Sequence, residues 1–124
     1  MRFWTPLLLL LALGVPASAE REFDVDGPIE LHIWLTTKPD QERAFERTFR
    51  EVFYPAVSAR EGFRSAALMR KPGTSDYTVR LLFNSEEQRM EWVKSDAHQQ
   101  AWPALAEHCQ EPKYDGFAVI HPRE

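Results

Sequence analysis

The sequence predicts a single α+β domain with the element order β-α-β-β-α-β, and three observations carry that reading. Residues 29 to 36 alternate strictly, with Ile29, Leu31, Ile33 and Leu35 on one face and Glu30, His32, Trp34 and Thr36 on the other, which is the period of a strand. Phe45, Phe49, Val52 and Phe53 recur at i, i+4, i+7 and i+8, the stripe of an amphipathic helix. Two further strand-like runs, Glu61 to Met69 and Tyr77 to Phe83, flank Pro72-Gly73-Thr74-Ser75, and such a cluster of turn formers between strands reads as a hairpin loop. A second helical region and a last strand, Tyr114 to His121, complete the order. With short right-handed connections this is the ferredoxin-like arrangement: a four-stranded antiparallel sheet with both helices on one face.

The chain starts with a segment that this order does not use. Arg2 precedes an apolar run from Leu7 to Val15, interrupted by Gly14, and Pro16-Ala17-Ser18-Ala19 follows. A basic start, a short apolar run and small residues in an A-x-A pattern describe a cleavable secretory signal. The run is shorter than the roughly 20 residues that span a bilayer, although a short membrane anchor is the competing reading. Residues 1–19 are therefore expected to be a signal peptide, leaving a secreted or periplasmic protein with no stable membrane insertion. Residues 20–28 form a polar leader ending in Gly27-Pro28, and residues 29–121 form the domain.

The remaining elements follow from their terminators. Thr37 is placed to cap the first helix with Pro39 in its first turn, and Pro55 to end it. Ser85-Glu86-Glu87-Gln88 fits a capping box, hydroxyl first and Gln at the third helical position. That helix carries Met90, Trp92 and Val93. Ser95 or Asp96 then recaps a second segment bearing His98, Trp102 and Leu105, which Pro103 should kink or break. Glu and Arg alternate from Glu42 to Glu51, as on a solvated helix face with i,i+4 pairs.

Composition narrows the function. The chain has 124 residues, one cysteine and formal net charge −4. One domain fits that length, and a mildly acidic chain lacks the basic footprint of a nucleic-acid binder. Cys109 can form no intrachain disulfide and reads as an inert thiol. His108 and His121 read as surface groups, and the His and Cys residues show no metal-site spacing. P-loop, dinucleotide-binding and serine-hydrolase motifs are absent. The alternation also exposes a problem of coverage: Trp34 and Leu82 project from the strands away from the main apolar face. Two helices cover only one face of a sheet, so the second needs a partner, and another copy of the same sheet, giving a homodimer, is the economical one.

The stretch Phe83-Asn84-Ser85-Glu86-Glu87-Gln88-Arg89-Met90-Glu91-Trp92-Val93-Lys94-Ser95-Asp96-Ala97-His98 resembles the antibiotic biosynthesis monooxygenase domain family, whose members form dimeric α+β barrels. Strand end, capped helix, Trp and Ser-x-x-His carry the resemblance, which extends over Ile29 to His121. It implies a cofactor-independent monooxygenase oxidising a small aromatic, quinol or phenolic, with dioxygen. Alternatives are a non-catalytic periplasmic module that binds or senses an aromatic ligand, and a haem-binding protein. The haem-degrading branch of the family places an Asn on the first strand, a Trp on the second helix and an axial His beyond it. Trp92 matches the Trp, whereas His32 and Trp102 stand where the Asn and His are expected, and His98 lies one turn early.

The resemblance also implies a ligand pocket between sheet and helices, and the strand face carrying His32 and Trp34 is expected there. His98 is the first choice of catalytic base and His32 the second. Trp34, Trp92 and Trp102 would form an aromatic box, and Arg80 would neutralise a phenolate or carboxylate. No metal or cofactor is implied. Each residue also has a plainer role: Trp92 and Trp102 as core, His98 as a helix-break contact, His32 as a satisfied histidine and Arg80 as a paired surface charge.

Overall fold

The computed structural model describes residues 20–122, so the expected signal segment lies outside the described residues. Strand β1 (Ile29–Thr36) pairs antiparallel with β3 (Asp76–Phe83) on one side and β4 (Lys113–Ala118) on the other, and β2 (Phe63–Arg70) pairs with β3. The sheet order is β2-β3-β1-β4, the ferredoxin-like topology expected. Helices α1 (Glu42–Thr48) and α2 (Tyr54–Ser58) lie between β1 and β2. Helices α3 (Glu86–Lys94) and α4 (Asp96–Ala106) lie between β3 and β4.

One face of the sheet and the inner faces of the helices make the core. Ile29, Leu31, Ile33 and Leu35 are buried together with Tyr77, Val79, Leu81 and Phe83 of β3 and with Phe45, Phe53, Val57, Trp92 and Leu105. Register explains the match: Leu31 sits opposite Leu81 and Ile33 opposite Val79, so both strands turn the same side to the helices.

Several expectations about the first helix are corrected. Thr37 does not cap it but forms an isolated bridge with Cys109, and Asp40, at φ 64°, turns the chain before Gln41 takes the N-cap position. Pro55 does not end the helix either. Residues Phe49–Phe53 form a π-helical turn closed by the Tyr54 N–H on the Phe49 carbonyl, and the chain continues to Ser58. The wider turn just before Pro55 accommodates a residue that lacks a donor and crowds the preceding turn. It also rotates the apolar stripe, so Val57 joins Phe49 and Phe53 in the core while Val52 is exposed. Glu42 and Glu46 do not form i,i+4 pairs with the helix arginines. They accept from Ser75 Oγ at 2.7 Å and Tyr77 Oη at 2.5 Å and so tie α1 to β3.

The other boundaries move by one to three residues. Strand β2 begins at Phe63, after Gly62 at φ +86°, where a side-chain Cβ would meet the Gln88 side chain at 2.2 Å. Ser85 accepts from the Gln88 N–H at 3.1 Å and Ser95 from the His98 N–H at 3.1 Å, so both helices start on a serine cap. Pro103 sits inside α4 without breaking it. It lies on the exposed side of the helix, where its ring meets no packed neighbour element.

Candidate active site

Because β1 alternates, its two faces part the predicted site residues. A cavity of about 180 Å³ lies between sheet and helices, floored by Leu31, Ile33 and Leu81 and walled by Trp92, His98 and Trp102. The core-facing side chains of β1 line it, so the expectation that His32 and Trp34 do is corrected. They project from the opposite face, where Trp34 is 42% exposed. His32 is a paired histidine: its Nε2 lies 2.7 Å from Glu30 Oε2, and its ring packs on Phe117 at 4.6 Å between centroids. Arg80 stands opposite His32 in the register, on the same helix-free face, with Nε 3.9 Å from Glu30 Oε2. Trp34 and Arg80 therefore share no cavity with Trp92, Trp102 and His98.

Helices α3 and α4 bring the other three together. The serine cap at Ser95 restarts the helix, and His98 falls on its first turn, facing back to α3. The His98 ring stands perpendicular to Trp92, with centroids 5.0 Å apart, and stacks parallel to Trp102 at 6.4 Å and 16°. Phe53 from the π-helical turn closes edge-on against both tryptophans, at 5.8 and 6.4 Å. Trp92 is both core and wall, since it is 2% exposed and still lines the cavity. Burial, and secondarily the nearby Arg89 guanidinium, hold the His98 imidazole below its ordinary value of 6.5. It is thus neutral at pH 7, able to accept a proton. Its Nδ1 lies 3.4 Å from the Gln99 amide nitrogen, a long contact.

The polar end of the cavity consists of residues that apolar periodicity could not find: Glu22, Arg89 and Tyr114. Arg89 is 2% exposed and binds the fully buried Glu86 through Nε at 2.7 Å and Nη2 at 3.0 Å. Burial alone would raise the Glu86 carboxyl. The Arg89 hydrogen bonds and the backbone N–H groups of Glu22 and Phe23, each at 2.8 Å, outweigh it and hold it below the ordinary carboxylate value. The spacing of Glu86, Arg89 and Trp92 at i, i+3 and i+6 was the available signal, because it places a charge pair and a tryptophan on one helix face.

Other groups stand apart from this site. Cys109 is buried and its thiol is pushed up to about 11, which leaves it protonated and unreactive. His108 is not a surface group: it is half-buried, with its ring nitrogens 3.0 Å from Thr48 Oγ1 and 2.8 Å from Gln41 Oε1. Two larger hollows, of about 740 and 520 Å³, are open grooves beside Tyr77 and Arg70 with mixed polar walls and no histidine. Among the described residues, no group of three or more His, Cys, Asp or Glu could hold a metal ion, and no helix is long and apolar enough to cross a membrane.

Comparison with known proteins agrees with this fold. SnoaB of Streptomyces nogalater, a cofactor-independent oxygenase, superposes with a TM-score of 0.69 at 13% identity, covering 79% of this chain and 100% of that one. Rv0793 of Mycobacterium tuberculosis gives 0.67 at 15% identity, with coverages of 78% and 99%. A conserved protein of Methanosarcina mazei gives 0.67 at 15%, with coverages of 74% and 92%. Likeness at these identities shows the shared fold. No curated protein matches the chain in sequence. The model of the antibiotic biosynthesis monooxygenase family matches residues 28–104, and the chain belongs to that family.

Proposed function

We propose that the protein is a cofactor-independent monooxygenase acting on a small hydroxylated aromatic held between the sheet and the helices, with His98 as the base. The observation that carries this reading is a neutral, half-buried imidazole set between two tryptophans on the wall of a mostly apolar cavity. An apolar cavity of about 150 Å³ takes up benzene. A volume of about 180 Å³ therefore suits one or two fused rings, and it falls well short of the roughly 300–1,000 Å³ that drug-sized ligands occupy, which weighs against haem. His98 takes the hydroxyl proton, and the aromatic anion gives one electron to dioxygen. The resulting radical pair joins at a ring carbon as a peroxide, which takes the proton from His98 and becomes a hydroperoxide. That carbon then gives its hydrogen as a proton to His98 while the O–O bond breaks. One oxygen stays in the quinone, and the other leaves as hydroxide that takes this second proton from His98 and becomes water. All electrons come from the substrate.

Support for the setting comes from elsewhere in the chain. The apolar run Leu7 to Val15 and the small residues up to Ala19 favour export to the periplasm or beyond. The helix-free face of the sheet exposes Trp34, Met69 and Phe117, each 42%, and favours pairing with a second copy through that face, read as a doubled mass in light scattering. The test of function is dioxygen uptake by the mature chain with 1-naphthol and dihydroxynaphthalenes. Uptake above autoxidation that persists with chelator is the expected result. Saturable binding without uptake would make the protein a non-catalytic binding module instead.

A further inference from the structure

Part of the cavity wall comes from outside the family-matched region. The leader, residues 20–26, precedes residue 28, where the match begins, and it is fastened to α3 and β4 by independent contacts. Arg21 Nε lies 2.6 Å from Glu87 Oε2, and the Glu22 and Phe23 N–H groups donate to Glu86. The Phe23 ring lies 5.2 Å from the Arg89 guanidinium and edge-on to Tyr114 at 6.4 Å. It also presses on Gly116, where a Cβ would sit 2.6 Å from the ring, so the strand is kept bare for it. Glu22 is thereby delivered to the cavity: one oxygen accepts from Arg89 Nη2 at 3.0 Å and the other from the Tyr114 hydroxyl.

The charges at this end do not balance. One buried guanidinium faces two carboxylates, Glu86 and Glu22. An aromatic acid entering the cavity would have to displace Glu22 from Arg89 or set its own charge against the Glu22 and Glu86 carboxylates. A neutral hydroxyl meets no such penalty, because a carboxylate offers about four acceptor positions and Glu22 uses two of them.

We propose that Glu22 is a specificity-determining residue of the cavity, occupying the guanidinium that would otherwise capture a ligand carboxylate and presenting an acceptor to a ligand hydroxyl. The site then admits neutral hydroxylated aromatics and rejects aromatic acids of the same size. This inference rests on the cavity being the ligand site. Calorimetric titration of the mature chain with 1-naphthol and with 1-naphthoate tests both. The native protein is expected to bind the naphthol at least about 10-fold more tightly, and Glu22→Gln to shrink that ratio about 10-fold or more by freeing Arg89 for the acid. Tyr114→Phe, which leaves the charge in place, should change the ratio less than about threefold, and Glu22→Asp, should the amide variant fail to fold, should give an intermediate ratio. An unchanged ratio in the Glu22 variants overturns the proposal while leaving the cavity as the site. Binding of neither compound to the native protein overturns both.

Discussion

Replacing Arg89 with Met is expected to destabilise the protein by about 3–5 kcal/mol, the range observed when one partner of a buried ion pair is removed. Glu86 has no exposed surface, and without the guanidinium its charge would rest on two backbone N–H groups alone. The leader would loosen at the same time, because Glu22 and Phe23 both lean on Arg89. Urea denaturation at pH 7 measures the effect as a fall in midpoint. The double variant Glu86→Leu with Arg89→Met should recover part of the loss, since an apolar pair of similar volume often replaces a buried salt bridge without cost. Recovery should be incomplete, because the Glu22 and Phe23 N–H groups would lose their acceptor. The Glu86 carboxyl is held below its unfolded value, so its contribution is present above about pH 4.5 and is lost as the pH falls through the folded value. The gap between native and Arg89→Met should narrow accordingly in acid. A loss under about 1 kcal/mol at pH 7 would mean that the pair is solvated and does not anchor α3.

Removing the imidazole is expected to act on chemistry rather than on binding. His98→Ala should lower kcat by about 100- to 10,000-fold, the usual contribution of a positioned base, with little change in KM, because Trp92 and Trp102 still hold the ring. The sign of the pH dependence follows from the lowered pKa of His98. The base stays competent at pH values where a free imidazole is protonated, so the acid limb of kcat/KM should fall below pH 6.5. The same shift means that the unfolded chain binds more protons than the folded one in the window just below pH 6.5. Native stability should therefore decline as the pH drops through that window, and His98→Ala should flatten the decline. A KM effect with unchanged kcat would make His98 a wall of the site and nothing more.

The fold was legible because β1 and β3 alternate cleanly and α3 and α4 start on serine caps. Residues 29 to 36 and Ser85-x-x-Gln88 read the same way in sequence and in structure. The first helix was harder. A π turn lets Pro55 pass and rotates Val52 outward, and no propensity or 3.6-residue period encodes such an insertion. The site was legible by half. Trp92, His98 and Trp102 share a cavity, the grouping that the family resemblance implied. Trp34 could not both face the helices and cover the bare side of the sheet, and the buried Ile33 beside it decides which face it takes. Glu22, Arg89 and Tyr114 stayed hidden because charged and edge-strand residues read as surface until long-range contacts pair them. Those contacts span 67 residues between Glu22 and Arg89 and 92 between Glu22 and Tyr114.

A comparison of two tryptophan variants tests whether the ligand lies between the sheet and the helices. Calorimetry with 1-naphthol should give Trp34→Phe a Kd within about twofold of the native protein, because Trp34 belongs to the helix-free face. Trp102→Ala should weaken binding by about 10-fold or more, because it removes a wall of the cavity that stacks on His98. The reverse pattern, with binding weakened by Trp34→Phe and indifferent to Trp102→Ala, would place the ligand on the outer face of the sheet and rule out the cavity as its site.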